Sequence, residues 1–208
     1  MTRPPLGTRT PAPGWLNEPS VSRLLFADPR LAPLWLLLRV YVGYEWLTAG
    51  WGKLVNPGGV WVGEKAGVAV TGFLKGALAK TDGEHPDVQG GYAWFIQQVA
   101  LPNAGLFSYL VVCGELLVGA GLILGLFTGL AAFFGGFMNA SYLLAGTVSI
   151  NPVLFILATW LVLGWRVAGW WGLDRFVLPR FGVAPEGGTP DRVGADRAMA
   201  DRRMPPLS

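Results

Sequence analysis

Five polar side chains lie inside otherwise apolar stretches of the sequence: Arg39, Glu45, Glu115, Asn139 and Arg166. A charged group at membrane depth costs about 2.5 to 3.5 kcal/mol on insertion scales, so each needs a partner or a function. Carboxylates, guanidinium groups and an amide in a low-dielectric site can hydrogen-bond the carbonyls of a quinone and relay its protons. We therefore expect Glu115 to carry protons, with Glu45 as the second candidate and with Arg39, Arg166 and Asn139 as hydrogen-bond donors.

Residue spacing indicates how these groups are arranged. Counting about 1.5 Å of rise per residue places Arg39 and Arg166 at a similar depth near the inner side, and Glu115 near the midplane. Asn139 shares a helical face with Tyr142 and with several glycines, which is typical of close helix packing, so Tyr142 joins the candidate site. A structural alternative stays open, in which the arginines extend to the inner interface and Glu115 pairs with one of them.

The elements that position these residues are predicted to be membrane-spanning helices. Hydrophobic residues make up 52% of the chain and charged residues 14%, which disfavours a soluble fold. About twenty residues cross a hydrocarbon core of about 30 Å, and four stretches have that length: residues 33–52, 105–126, 127–147 and 152–173. The sequence predicts an all-α, integral membrane four-helix bundle within residues 31–182, with a very tight hairpin between the second and third spans.

The distribution of basic residues predicts the orientation. The first 32 residues and the stretch after the fourth span together carry ten arginines, whereas the loop over residues 53–104 carries four lysines. This distribution places both termini in the cytoplasm of a multi-pass plasma membrane protein and the loop outside. The tails, residues 1–30 and 183–208, are rich in Pro, Gly, Arg and Asp and are expected to be disordered. Within the loop, apolar residues over 70–78 and 92–100 repeat with helical spacing, which predicts two short amphipathic helices.

Composition also excludes several classes of function. The chain has one cysteine, Cys113, and one histidine, His85, so disulfide staples and Cys/His zinc sites are excluded and no metal site is predicted. We expect Cys113 to be a buried, inert thiol, with a persulfide role as the alternative, and His85 to be a solvated surface residue. The net charge of +3 is too small to favour nucleic acid as a partner.

Several segments resemble the DoxX/DoxD family of four-helix membrane proteins. These are the run from Glu115 to Thr128, the run from Met138 to Thr147, the Asn151-Pro152-Val153 turn, the run from Trp165 to Arg175 and the first-span pattern from Arg39 to Lys53. The resemblance covers residues 31–182. It is closest to the DoxD branch, the large subunit of thiosulfate:quinone oxidoreductase.

The resemblance implies a reaction and its partners. Thiosulfate would be coupled oxidatively to tetrathionate while electrons pass to membrane quinone, and a second, smaller subunit would take part. A thiosulfate dianion would be met at the outer face, where Lys53 is the best single candidate and ordinary boundary placement is the alternative. The lipid bilayer is the expected environment, and a homo-oligomer is compatible with the sequence.

Two other classes of function stay open at this stage. A non-catalytic anchor or assembly subunit of a redox complex would fit the glycine-rich packing faces and the lack of dithiol or Rossmann signals. A small-molecule transporter would also use buried polar groups, but the chain has neither an obvious inverted repeat nor helices broken by Gly and Pro.

Overall fold

A computed structural model describes residues 20–182, and within that range the chain forms helices and no strands. The α-helices are α1 (Ser20–Ala27), α2 (Ala32–Leu54), α3 (Val68–Leu78), α4 (Gly90–Phe95), α5 (Ala104–Leu124), α6 (Thr128–Leu144), α7 (Asn151–Leu163), α8 (Trp165–Ala168) and α9 (Asp174–Val177). Short 3₁₀ segments cover Pro29–Leu31 and Leu178–Phe181, and a π-helical turn covers Ile96–Ala100. The predicted all-α class is therefore correct.

Four long helices pack in a closed order. Helix α2 packs on α5, α5 on α6, α6 on α7, and α7 on α2. Their shared core is apolar and includes Trp35, Val42, Trp46, Leu122 and Leu161. A second core lies beneath α3 and α4, where Val70, Leu74, Val88 and Ile96 are buried.

The long helices differ in length and hydropathy, which decide whether a helix can span a membrane. Among residues 20–182, one helix, α5, is both long enough and apolar enough to do so. Helix α2 has 23 residues but carries Arg39, Glu45 and Lys53, and α6 has 17 residues. Four apolar membrane-spanning helices were expected from the sequence. Among residues 20–182, α5 is the one helix that has both the length and the hydropathy of such a span.

The stretch expected to form a fourth span, residues 152–173, is divided. Helix α7 ends at Leu163 and the short α8 begins at Trp165. The break falls at Gly164, where an added Cβ would lie 2.7 Å from the ring of Trp35. Close packing of this indole against the backbone accompanies the interruption, so the single continuous helix expected there does not form.

The N-terminal side is more ordered than expected. Disorder was predicted over residues 1–30, but α1 forms within that stretch and contacts the bundle. Phe26 packs against Trp35 and Trp160 with ring centroids 5.9 and 6.3 Å apart, and Trp35 Nε1 donates to the carbonyl of Leu25 over 2.9 Å. These contacts offset the conformational entropy that is lost when α1 becomes ordered. Residues 1–19, and the tail predicted to be disordered over 183–208, lie outside the described residues.

Local patterns in the loop and the hairpin are confirmed. Helix α3 forms with Val70, Leu74 and Ala77 buried along one face, and the second amphipathic pattern forms α4 followed by the π-helical turn. Three residues separate α5 from α6, with Gly125 in the left-handed region at φ 63°. The predicted hairpin is therefore as tight as its sequence suggests.

The closest approach between α2 and α5 gives the first testable prediction. A Cβ on Gly119 would lie 2.5 Å from the backbone nitrogen of Leu47 and 2.7 Å from its Cα. G119A must push the helices apart, and we expect a loss of about 1 to 3 kcal/mol in the free energy of unfolding. Denaturant unfolding followed by circular dichroism measures it.

The matched control is G76A. Gly76 is a helical glycine of α3 with open space around its Cβ position. Alanine has the higher helix propensity, so this variant should unfold at the same denaturant concentration as the parent or at a higher one. Equal unfolding of G119A and G76A would contradict the assigned packing.

Candidate functional site

A buried ion pair joins α2 to α5. The Lys53 ammonium lies 2.8 Å from Glu115 Oε1 and 2.7 Å from Oε2, so it donates to both oxygens of one carboxylate. Glu115 is 2% exposed and Lys53 is 22% exposed. Gly50 permits this approach, because its Cβ position lies only 3.0 Å from Glu115 Cβ. Glu115 is thus paired with a lysine, and not with an arginine as the structural alternative assumed.

Helix α6 completes the surroundings of the carboxylate. The Tyr142 hydroxyl donates to Glu115 Oε1 over 3.1 Å, and the Tyr142 ring lies 6.4 Å from the ring of Trp46 on α2. Asn139 lies one turn before Tyr142 and is fully buried. We call Trp46, Lys53, Glu115, Asn139 and Tyr142 the polar cluster. It brings together four of the seven residues predicted from the sequence: Lys53, Glu115, Asn139 and Tyr142.

The segment between α2 and α3 covers the Lys53 end of the polar cluster. The Lys53 ammonium lies 5.2 Å from the centroid of the Trp61 ring, within range of a cation–π interaction. Ser108 on α5 donates to the carbonyl of Trp61 over 2.5 Å, and Tyr109 accepts from the Gly63 N–H over 3.0 Å. The partly exposed Lys53 is therefore the point at which the cluster meets the molecular surface.

Two further contacts hold the loop helices against the end of α6. Tyr92 on α4 donates to the carbonyl of Ser141 over 2.9 Å, and burial raises the pKa of Tyr92, so it stays a protonated donor. Lys80 donates to the carbonyl of Gly146 over 2.6 Å. A cation at the carboxyl end of a helix is favourably placed with respect to the helix dipole.

Arg39 lies at the opposite end of α2, away from the polar cluster. It is 1% exposed, and its Nη2 donates to the carbonyl of Trp171 over 3.4 Å. A Cβ on Gly125 would overlap its Nη1, so the guanidinium lies directly on the hairpin between α5 and α6. Arg39 and Glu115 are therefore not brought together.

Asp174 is a buried acidic residue that sequence reasoning missed. Its Oδ1 accepts from the Phe127 N–H over 2.6 Å and its Oδ2 from the Thr128 N–H over 2.9 Å. The carboxylate thus caps α6, favoured by the positive end of the helix dipole. One feature of the sequence could have indicated such a cap. Phe127 occupies the N-cap position of α6, where Asp, Asn or Ser is usual, so the first N–H groups of α6 need an acceptor from elsewhere in the chain.

The remaining candidates are at or near the surface. Arg166 is exposed, with its guanidinium 5.3 Å from the Trp165 ring centroid. Glu45 is half-buried on α2, outside the polar cluster. His85 is exposed as expected, whereas Cys113 is exposed and not buried. Cys113 lies on α5 beside Gly114, on a face that does not pack inward.

The chemistry available in the polar cluster is proton handling and hydrogen bonding. Glu115 and Tyr142 are linked by a hydrogen bond through which a proton can pass, and Lys53 stabilises the carboxylate. Among residues 20–182, no group of three His, Cys, Asp or Glu side chains is placed to hold a metal ion. Trp46 and Asn139 have buried polar atoms without hydrogen-bond partners.

Comparison with known proteins gives one match. Residues 34–147, which include the whole polar cluster, match a family model described as DoxX. Searches of curated proteins and of solved structures find no match.

Proposed function

Because this chain belongs to the DoxX family, whose members are membrane-associated, we propose that it is the membrane subunit of a quinone-linked oxidoreductase. One observation carries the proposal: a buried carboxylate, Glu115, is held by Lys53 and Tyr142, and Asn139, one turn before Tyr142 on α6, has a buried amide without partners. Buried ionisable groups in a membrane domain mark sites of proton or ligand chemistry. In this proposal α2, α5, α6 and α7 span the plasma membrane, with both termini in the cytoplasm.

Each residue of the site has a proposed task. Membrane quinone supplies the electron acceptor, and the Asn139 amide fits a ring carbonyl because both of its polar atoms are buried and free of protein partners. The Glu115 carboxylate takes up a proton and passes it on to the ring, and Tyr142, which donates to this carboxylate, is the neighbouring hydroxyl on α6. Lys53 keeps the carboxylate in place and connects it to the surface beneath Trp61.

We propose thiosulfate as the electron donor. Two thiosulfate dianions lose one electron each and join through a new S–S bond to give tetrathionate. The two electrons reduce one quinone, which takes up two protons. Both hydrogen bonds of the Lys53 ammonium go to Glu115. Because this carboxylate neutralises the ammonium, Lys53 attracts a dianion only weakly. We therefore assign donor binding to a small partner subunit at the surface near Trp61.

The proposed proton carrier is tested by E115Q. Glutamine keeps the shape and can accept from Lys53, but it cannot donate a carboxyl proton. We expect thiosulfate-dependent reduction of decylubiquinone to fall at least about a hundredfold, the usual range for loss of an acid–base group. The assay uses purified protein with the small subunit encoded beside it, where one exists.

Two further carboxylate variants serve as comparisons. E64Q changes an exposed glutamate in the loop and should retain full turnover, whereas E45Q tests the second candidate carboxylate. Normal turnover by E115Q would remove Glu115 from the mechanism, and loss by E45Q alone would transfer the role to Glu45.

A non-catalytic anchor is the second candidate function, and one observation favours it. The ion pair of Lys53 and Glu115 is complete within this chain and could serve only to hold α2 against α5. In that case E115Q would lose folded protein in the membrane instead of turnover. Electron transfer by the partner subunit alone would also support the anchor.

A further inference from the structure

Two side chains at the centre of the bundle have buried polar atoms without protein partners. Trp46 is 3% exposed, and its Nε1–H has no acceptor. Asn139 is 0% exposed, and neither its Nδ2 nor its Oδ1 has a partner. Buried polar groups in folded proteins are normally hydrogen-bonded, because leaving one unpaired costs about 1 to 3 kcal/mol.

The two residues are neighbours in space. A Cβ on Gly135 would lie 3.1 Å from Trp46 Nε1, and Gly135 is one turn before Asn139 on α6. The Trp46 ring also approaches Tyr142, on the turn after Asn139. The indole therefore runs along the face of α6 that presents the Asn139 amide.

The same face is level with Glu115. Gly114 on α5 meets Met138 on α6, with the Met138 sulfur 3.0 Å from the Gly114 Cβ position. Glu115 follows Gly114 on α5, and Asn139 follows Met138 on α6. The unpartnered groups and the proposed proton carrier thus lie at one level of the bundle.

We infer that Trp46 and Asn139 together bind one ring oxygen of a quinone in both its oxidised and its reduced form. This inference rests on the proposed function and adds Trp46 as a binding residue. Of the other buried unpartnered groups, Arg39 lies against the Gly125 backbone and at a distance from Glu115.

The donor and acceptor inventory fits both forms. A quinone carbonyl only accepts, and it can accept from Trp46 Nε1 and from Asn139 Nδ2. After two electrons and two protons have been taken up, the same oxygen carries a hydrogen. That hydroxyl donates to Asn139 Oδ1 when the amide turns over, while its lone pair still accepts from Trp46 Nε1. The two neutral side chains therefore bind this oxygen in both substrate and product.

The test measures binding and not turnover. Decylubiquinone and its quinol are titrated into purified protein, with W46F and N139L compared against the parent. W46F keeps a ring and removes only the N–H, so we expect about a fivefold loss of affinity for both forms, the value of one hydrogen bond. N139L also removes one hydrogen bond to each form, and we expect a loss of affinity of at least about fivefold for both.

Matched controls come from the same helices. W51F changes an exposed tryptophan of α2, and S141A removes a hydroxyl of α6 that donates to its own helix. Both should bind as the parent does. The infrared carbonyl band of ¹³C-labelled quinone gives a second readout, because loss of a hydrogen bond in W46F should raise its frequency.

The outcomes separate the two proposals. Parent-like affinity and carbonyl frequency in W46F, or parent-like affinity in N139L, overturn this inference and leave the E115Q test of the oxidoreductase intact. If thiosulfate fails to reduce quinone while W46F and N139L bind it weakly, the donor and reaction are wrong but the site stands. No quinone binding by the parent overturns both proposals.

Discussion

K53M is expected to lower the free energy of unfolding by about 3 to 5 kcal/mol, because it leaves the Glu115 carboxylate buried without its cation. Methionine keeps much of the apolar stem, so the change removes charge more than packing. The Lys53 ammonium donates to both carboxylate oxygens, and after its loss the Tyr142 hydroxyl is the only hydrogen-bond donor left to Glu115 among the described residues. Denaturant unfolding in detergent, followed by circular dichroism, measures the loss.

A double variant isolates the interaction. In K53M/E115L both charges are gone, and apolar side chains take their place. Replacement of a buried ion pair by apolar residues is often neutral or stabilising, so the double variant should regain most of the stability lost in K53M. This recovery would show that the cost arises from the unpaired carboxylate and not from the missing lysine stem.

K65M is the control for the loss of a lysine as such. Lys65 is exposed in the loop, where single charges contribute little to stability. Unfolding of K53M and K65M at the same denaturant concentration would refute the assignment of a buried ion pair. It would also weaken the proposed function, since Glu115 would then have another source of stabilisation.

Local features of the fold could be predicted from the sequence because their signals are local. The predominantly apolar composition of α5, the glycine at the hairpin and the helical repeat over α3 each depend on neighbouring residues. The break at Gly164 was missed because it depends on Trp35, which is remote in sequence. The depth of Arg166 was counted along one continuous helix, whereas Arg166 follows the break at Gly164 and is exposed.

The polar cluster could be predicted only in part. Inward orientation of Glu115, Asn139 and Tyr142 followed from helix faces that carry small residues. The partner of Glu115 did not follow, because Lys53 is 62 residues away and its long stem lets it reach inward from the last turn of α2. Trp46 was missed because a tryptophan among apolar residues is typical of a hydrophobic core. The lack of an acceptor for its N–H is visible only in the three-dimensional structure.

D174A is expected to lower the free energy of unfolding by about 3 kcal/mol, the combined effect of losing a helix cap and leaving two N–H groups at the start of α6 unpaired. Asp174 is buried and accepts from the Phe127 and Thr128 N–H groups at the start of α6. D174N keeps one acceptor oxygen and should lose about half as much. D82A, at an exposed loop position, is the control and should unfold with the parent.

The same variant tests whether Arg39 and Asp174 form one unit. The Asp174 carboxylate lies close enough to attract the Arg39 guanidinium, and the Asp174 N–H donates to the carbonyl of Gly125, on which Arg39 lies. D174A therefore also leaves a buried cation without a nearby anion. Adding R39M to D174A should then cost less than R39M costs in the parent. Strict additivity of the two losses would show that Arg39 stabilises the hairpin independently of Asp174, through its contacts with Gly125 and the Trp171 carbonyl.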